Sequence, residues 1–435
     1  MNQSSFLAAE TIALHSGYQP ESDYGARAVP IYQTTSYVFD SVDEASALFN
    51  VEQGGHIYSR ITNPTIAVLE QRLAALEGGS GAICTASGMS ALFISFISLC
   101  SAGDHIVSAT QIYGSTITLL QHTLKRFGID CTWVNINDSN ALATAIQDNT
   151  KLVFCESIGN PGLEVSDLPN ISAIAHKHGV PLMVDATFAT PVLCRPLEHG
   201  ADLVVHSVTK WIGGHGTAVG GVIIDGGKFD WHASGRFPTL TEPYKPFHGI
   251  NFWEEFGPSA LAMRIRAESM RDIGATMSPH TAFLLLQGIE TLALRMRQHV
   301  VNTKQLLKWL QQQANVAWVN HPDLQDNPTQ AIAKHLFPEG AGSVICFGVD
   351  GGRSAGAAFI NALKLSSNLA NVGDCRTLVL HPASTTHSRL DDASMMSACI
   401  RPDLLRVSVG IESIDDIQAD FAYGLKAANK VAEQG

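Results

Sequence analysis

A lysine and an aspartate stand at the ends of two short apolar runs of this chain. Lys210 follows the run Leu-Val-Val-His that begins at residue 203, and Asp185 closes the run Pro-Leu-Met-Val that begins at residue 181. A lysine that is partly removed from water has a lowered pKa, and its neutral amine can form a Schiff base. A carboxylate buried at a strand end needs a cationic partner, which a protonated ring nitrogen can supply. These two residue types together indicate a pyridoxal phosphate site.

The surroundings of Lys210 are suited to binding a phosphate group. Ser207 and Thr209 place hydroxyl groups beside the lysine, and three glycines within the next six residues allow the backbone to approach a ligand closely. The stretch Ser-Gly-Met at 87–89 opens an apolar helix, whose N-terminus would attract an anion. Simpler interpretations stay open at this point: a surface lysine past a strand, and a plain helix cap at Ser87.

Tyr113 follows a further apolar run, at 105–109, and so also stands at the predicted end of a strand. An aromatic ring there can stack on a flat heterocycle, although a half-buried structural tyrosine explains it equally well. Histidines at 176–178 and 381–387 could suggest metal sites, but a helix end and a loop are the preferred interpretations. The sequence has no phosphate-loop motif and no dinucleotide-binding glycine motif after its first predicted strand.

The elements that must position these residues alternate along the chain. Strand-like runs begin at residues 81, 105, 129, 152, 181, 203 and 221, and helical stretches separate most of them. Near-continuous apolar strands alternating with helices are typical of a mostly parallel sheet covered on both faces. Ligands of such sheets bind beyond the carboxyl ends of the strands, where Asp185 and Lys210 both fall. The predicted fold class is therefore α/β.

The chain divides into three predicted segments. Residues 1–65 have little periodic apolar pattern and are predicted to form an extended arm that packs on something else. Residues 66–277 are predicted to form the large domain with the mostly parallel sheet, and residues 278–435 a smaller α+β domain, whose first helix runs from 281 towards 313.

Composition excludes several classes of function. The chain has 435 residues, 28 basic against 40 acidic residues and a formal net charge of −12, without a basic run interleaved with aromatics, so no nucleic-acid partner is expected. The N-terminus lacks the pattern of a signal peptide, and no apolar stretch approaches the ~20 residues that span a bilayer. The eight scattered cysteines indicate reduced thiols, hence a cytoplasmic protein.

Motifs along nearly the whole chain resemble the pyridoxal phosphate enzymes of cysteine and methionine metabolism. The stretches that carry the resemblance are Ala28–Thr35, Tyr58–Arg60, Asn63–Thr65, Ser87–Met89, Tyr113–Gly114, Val184–Thr187, His206–Lys210 and Arg406–Glu412. Within that family, residues 156–161, 213–217, 224–231 and 371–387 are most similar to the O-acetylhomoserine sulfhydrylases. Trp211 and Ser115 depart from the family pattern, which commonly has Phe or Tyr, and Gly, at these positions.

The resemblance implies a fold of type I among pyridoxal phosphate enzymes, and a role for each motif residue. Lys210 would form the Schiff base and shuttle protons, and Asp185 would pair with the pyridine nitrogen. Tyr113 would stack on the ring and act as an acid or base. The other residues implied to contact the cofactor are Gly88, Met89, Thr187, Ser207 and Thr209.

Further residues are implied to bind the substrate or to act across subunits. Arg406 would bind the substrate carboxylate, a bidentate task that suits a guanidinium group, and Asn160 and Asn371 would line the same site. Tyr58 and Arg60 would reach the cofactor phosphate of a neighbouring subunit, which would account for the predicted arm. The family implies a homotetramer built from two active dimers.

The expected activity is a γ-replacement of O-acetyl-L-homoserine by sulfide or methanethiol, giving homocysteine or methionine plus acetate. Cystathionine γ-synthase and methionine γ-lyase types of activity are the nearest alternatives, and a non-catalytic relative and a metal hydrolase are more distant ones. The sequence leaves open acetyl against succinyl as the leaving group, and sulfide against methanethiol or cysteine as the donor.

Overall fold

The computed structural model describes residues 8–20, 24–385 and 401–434, which carry two β-sheets. His387 and Cys399, which belong to two of the patterns noted above, lie outside the described residues. The larger sheet contains seven strands: β1 Gly81–Thr85, β2 His105–Ala109, β3 Asp130–Val134, β4 Thr150–Glu156, β5 Leu182–Asp185, β6 Leu203–His206 and β7 Gly221–Asp225. The smaller sheet contains five: β8 Val316–Asn320, β9 Val344–Val349, β10 Ser367–Asn368, β11 Leu378–Leu380 and β12 Leu404–Ser408.

The larger sheet has the strand order β1-β7-β6-β5-β4-β2-β3. Its strands from β6 to β3 run parallel, whereas β7 is antiparallel to both β6 and β1. The sheet is thus mostly parallel, as predicted, with a reversed strand near one edge. The parallel pairing brings the carboxyl ends of β4, β5 and β6 to the same edge, where Glu156, Asp185 and His206 end their strands.

The described helices cover the sheets and connect the strands. Their bounds are α1 Ala9–His15, α2 Val42–Phe49, α3 Pro64–Glu77, α4 Gly88–Leu99, α5 Gly114–Thr118, α6 Ser139–Ala145, α7 Leu168–Lys177, α8 Thr190–Leu193, α9 Trp231–Ser234, α10 Pro238–Thr241, α11 Phe252–Phe256, α12 Ala260–Arg264, α13 Arg271–Ile273, α14 Pro279–Glu290, α15 Leu292–Leu310, α16 Gln330–Leu336, α17 Gly352–Ala362 and α18 Ile414–Ala432. Two π-helical segments, Leu119–Thr123 and Ile265–Met270, extend α5 and α12. None of the helices in the described ranges is long and apolar enough to cross a membrane.

Capping residues next to each helix fix where α3 and α4 begin. Asn63 caps α3 by accepting the N–H of Thr65, and Pro64 occupies the first turn, where its missing N–H costs nothing. Ser87 caps α4 by accepting the N–H of Ser90, whose hydroxyl accepts the N–H of Ser87 in return. The predicted single helix after residue 281 is instead two helices, α14 and α15, which meet at Thr291.

The N-terminal segment packs in part on these layers, since α1 contacts α3, α14 and α15 and buries Ile12 and Ala13. It is not simply extended as predicted, because it contains the short helices α1 and α2. Several of its apolar side chains are exposed to solvent, with Val38 97%, Val42 85% and Phe49 59% exposed. The surface of this segment therefore includes large apolar side chains in contact with solvent.

Candidate active site

A cavity of about 240 Å³ opens at the carboxyl ends of β4, β5 and β6. The predicted site residues that line it are Gly88, Met89, Tyr113, Asn160, Asp185, Thr187, Ser207, Thr209, Lys210, Asn371 and Arg406. They come from seven separate stretches of the chain and from both sheets, since Arg406 belongs to β12. Tyr58 and Arg60 do not line this cavity.

Lys210 enters the cavity from a tight turn that follows β6. The N–H of Lys210 donates to the carbonyl of Ser207 at 3.1 Å, and its own carbonyl accepts the N–H of Gly214 at 2.7 Å. The side-chain amine donates to the amide oxygen of Asn371. Burial lowers the pKa of this amine, and the charge of Arg406 lowers it further. A lysine with a lowered pKa more readily supplies the neutral amine that attacks a carbonyl carbon.

Two carboxyl groups lie side by side at the base of the cavity. Asp185 ends β5 next to Glu156, which ends β4, because the two residues are paired in the parallel register. Burial raises the pKa of both groups, and the charge of Asp185 further raises the pKa of Glu156. The N–H of Thr187 donates to Asp185 at 2.9 Å, which opposes the rise and orients the carboxylate. A cationic ring nitrogen in this cavity would offset the cost of burying Asp185 as an anion.

Glu156 was missed as a site residue, although its stretch was recognised. It is 6% exposed, lines the cavity and accepts the N–H of Tyr113 at 2.7 Å. A second N–H, that of Asn160, also favours its charged form. Its position at the end of the apolar run Leu-Val-Phe-Cys is the same signal that singled out Asp185. That signal could have found it.

The start of α4 and the turn before Lys210 face each other at one end of the cavity. A Cβ atom on Gly88 would stand 2.7 Å from the Cβ of Ser207, so only glycine allows this approach. The N–H of Ser207 donates to the hydroxyl of Thr187 at 2.8 Å, while the Thr209 hydroxyl exchanges two hydrogen bonds with the backbone of Gly220. Free amides at a helix N-terminus beside two hydroxyl groups form a seat for a phosphate dianion.

Arg406 reaches the opposite side of the cavity from β12. Its guanidinium donates to the amide oxygen of Asn160 at 3.0 Å. Burial lowers its pKa, and no carboxylate pairs with it in the described ranges. A buried guanidinium that has only an amide partner retains donors for a bidentate carboxylate ligand.

The predicted cross-subunit residues lie on the arm, away from this cavity. Tyr58 is 41% exposed, and the guanidinium of Arg60 stands 5.6 Å from its ring. The same guanidinium donates to the carbonyl of Arg271.

The residues present fit pyridoxal phosphate. The cavity has an amine for the aldehyde, a carboxylate for the ring nitrogen and a phosphate seat, and Tyr113, which is 47% exposed, stands on its wall. The described residues offer no comparable set of ligands for a metal ion. His176 bonds Asp202 at 2.8 Å, and residues 8–20, 24–385 and 401–434 contain no cluster of three or more potential metal ligands.

Comparison with known proteins places the chain in the class that this fold and site define. A family model for Cys/Met metabolism PLP-dependent enzymes matches residues 10–426, and the chain belongs to this family. The homocysteine synthase of Schizosaccharomyces pombe is 51% identical over 421 residues, covering 96% of this chain and 98% of the yeast protein. The O-acetyl-L-homoserine sulfhydrylase of Leptospira meyeri is 44% identical over 426 residues, or 96% of each chain.

Solved structures agree with this assignment. A Campylobacter jejuni protein assigned as an O-acetylhomoserine (thiol)-lyase has a TM-score of 0.92 and 38% identity, over 96% of this chain and 99% of that one. It holds a pyridoxyl-lysine phosphate at its position 205. Cystathionine γ-lyase from Lactobacillus plantarum has a TM-score of 0.83 and 31% identity, over 97% and 99% of the two chains. The predicted family, fold type and cofactor are thereby confirmed.

Proposed function

We propose that this protein catalyses γ-replacement on O-acetyl-L-homoserine, with sulfide as the sulfur donor, giving L-homocysteine and acetate. The observation that carries the proposal is one cavity lined by an amine, a carboxylate and a guanidinium, in a chain with full-length similarity to enzymes named for this reaction. The C–O bond to the acetyl group breaks and a C–S bond forms at the same carbon. Methanethiol in place of sulfide would give methionine.

The chemistry depends on pyridoxal phosphate, which stores the electron pair released when the α-proton leaves. Lys210 would hold the cofactor, and its Nζ atom would accept and return protons when the substrate is bound. Asp185 would keep the ring nitrogen protonated, and the amides at the start of α4 would hold the phosphate. Arg406 and Asn160 fix the substrate carboxylate, which orients the α-proton towards Lys210.

The test begins with Lys210→Ala and the control Lys228→Ala, which removes an exposed lysine. Lys210→Ala should lose about a thousandfold or more in turnover of O-acetylhomoserine, because one group both carries the cofactor and transfers protons. It should also lose the cofactor absorbance that borohydride bleaches. Turnover by Lys210→Ala at the rate of the control would refute the proposal.

Product analysis separates γ-replacement from its nearest alternative. The wild-type enzyme should form homocysteine only when sulfide is added, whereas a γ-lyase would release ammonia and a 2-oxo acid without it. Parallel assays with O-succinylhomoserine and O-acetylserine, each with sulfide, methanethiol or cysteine, define the leaving group and the donor. Ammonia release that sulfide does not suppress would assign the chain to the γ-lyases instead.

We further propose a homotetramer in which the arm of residues 1–65 carries Tyr58 and Arg60 to the cofactor phosphate of a neighbouring subunit. The exposed apolar side chains of the arm support this, and so does the finding that Tyr58 and Arg60 do not line the cavity of their own subunit. Mixing Arg60→Ala subunits with Lys210→Ala subunits should restore activity that neither variant shows alone, since some sites would then be intact. Mixtures that stay inactive, although subunits exchange, would contradict a shared site.

We also propose that residues 66–277 form the large domain and residues 278–435 the smaller one. A cytoplasmic location is also proposed, because the seven described cysteines are all free thiols and five of them are buried.

A further inference from the structure

Helix α15 presents a line of polar side chains to the interior of the protein. Arg295, His299 and Asn302 are four and three residues apart and so share one face of the helix. They are 5%, 0% and 1% exposed, respectively. All three donate hydrogen bonds to backbone carbonyls rather than to side chains that could neutralise charge.

Arg295 binds the turn that carries Lys210. Its guanidinium donates to the carbonyls of Trp211 at 2.6 Å and Ile212 at 3.2 Å, the two residues that follow the lysine, and to Gly288 at 2.6 Å. No carboxylate pairs with it in the part of the chain that the structure describes. A buried charge held by carbonyl dipoles and one hydroxyl group is costly, and an apolar side chain would stabilise the fold as well.

His299 and Asn302 bind the segment that follows Arg406. The imidazole Nδ1 of His299 donates to the carbonyl of Val409 at 2.7 Å. The Asn302 amide donates to the carbonyls of Gly410 at 3.0 Å and Glu412 at 2.8 Å. These carbonyls begin directly after β12, the strand that places Arg406 in the cavity.

We propose that Arg295, His299 and Asn302 form a carbonyl clamp that sets the position of Lys210 relative to Arg406. They are positioning residues, because they touch neither the cavity nor its ligands. The amine and the guanidinium come from different sheets, and one rigid helix binds the backbone beside each of them. The inference rests on the proposed function, in which Arg406 holds the substrate while Lys210 removes its proton.

Variants of the two ends of the clamp should have different effects. Arg295→Gln releases the Lys210 turn and should lower kcat about a hundredfold, with slower capture of pyridoxal phosphate by the apo-protein. Asn302→Ala releases the segment after Arg406 and should raise KM for the amino-acid substrate about tenfold, with a smaller effect on kcat and none on cofactor capture. Arg295→Lys should restore part of the loss, since an ammonium group still donates to carbonyls.

Thr303→Val is the matched control on the same helix. Thr303 is 1% exposed, and its hydroxyl donates only to the carbonyl of His299 within α15, at 2.7 Å. The control should lower the melting temperature without altering cofactor capture or the ratio of kcat to KM. Equal effects of Thr303→Val and Arg295→Gln on cofactor capture would overturn the clamp and leave a general role in stability.

A steric variant keeps the test decisive if Arg295→Gln does not fold. A Cβ atom on Gly214 would lie 2.2 Å from the guanidinium of Arg295, and Gly214 has a φ of +73°. Gly214→Ala should therefore displace the guanidinium and slow cofactor capture as Arg295→Gln does, and unchanged capture would refute the clamp. Cofactor capture needs no substrate. A wild-type enzyme that captures the cofactor but fails on O-acetylhomoserine would refute only the proposed function.

Discussion

His299 makes the stability of this enzyme sensitive to acid in a way that can be calculated. Burial lowers the pKa of His299 from 6.5 to about 4, although the hydrogen bond to the Val409 carbonyl opposes this. The folded protein therefore keeps the imidazole neutral, while the unfolded chain binds a proton below pH 6.5. The contribution of neutral His299 to the free energy of unfolding is fully present above pH 6.5 and is lost as the pH falls towards 4.

The size of the effect follows from the two pKa values. Their difference corresponds to about 3 kcal/mol when each unit is worth 1.36 kcal/mol, and about 2 kcal/mol of this is lost by about pH 5. Because His299 is fully buried, exposure to solvent does not reduce the figure. His321, also fully buried, has a lowered pKa for the same reason and adds a loss of the same sign.

The perturbation is His299→Gln, which removes the titrating group and keeps a donor for the carbonyl. The assay is urea unfolding of the wild type and the variant at about pH 7.5 and about pH 5. The free energy of unfolding should fall by about 2 kcal/mol less in the variant over this interval, whatever its stability at the higher pH. His232→Gln, at an exposed position on α9, is the control. An equal fall in wild type and His299→Gln would refute the reasoning.

Three further predictions concern the site and its support. Arg406→Lys keeps the charge but loses the bidentate fork, so KM for O-acetylhomoserine should rise about tenfold or more in steady-state assays; an unchanged KM would contradict its role. Glu156→Ala leaves the partly buried N–H of Tyr113 without this partner, so urea unfolding should show a loss of about 1 kcal/mol that Glu242→Ala, at an exposed position, does not show. The hydrogen bond to Asp202 raises the pKa of His176. The contribution of protonated His176 to folding stability is therefore present below pH 6.5 and is lost as the pH rises through the raised pKa. His176→Gln should reduce the change in the free energy of unfolding over that pH interval by less than about 1 kcal/mol, because the ring is partly exposed. If the variant kept the pH dependence of the wild type, the pair of His176 and Asp202 would not be its source.

The positions of Lys210 and Asp185 could be predicted because their signals are local. Each stands at the end of a short apolar run that is typical of a buried strand, and parallel strands bring their carboxyl ends to one edge. The helix starts at Asn63 and Ser87 are equally local, since a cap needs only the next three residues. For these reasons, the fold class and most of the cavity lining could be predicted without coordinates.

Other features depended on pairing between distant parts of the chain. The antiparallel β7 is as apolar as the parallel strands of the same sheet, so its direction cannot be predicted from composition. The break at Thr291 lies inside a continuous helical pattern.

The sequence by itself determined which residues could do the chemistry, because a Schiff-base lysine and its carboxylate partner are fixed by residue type and strand position. Only the tertiary structure decided what holds them in place. Glu156 lies beside Asp185 through strand register, and Arg295 reaches the Lys210 turn from a helix more than eighty residues further along the chain. Such contacts leave no local pattern, because a donor at one position and a backbone carbonyl at another become neighbours only when the sheets and helices pack.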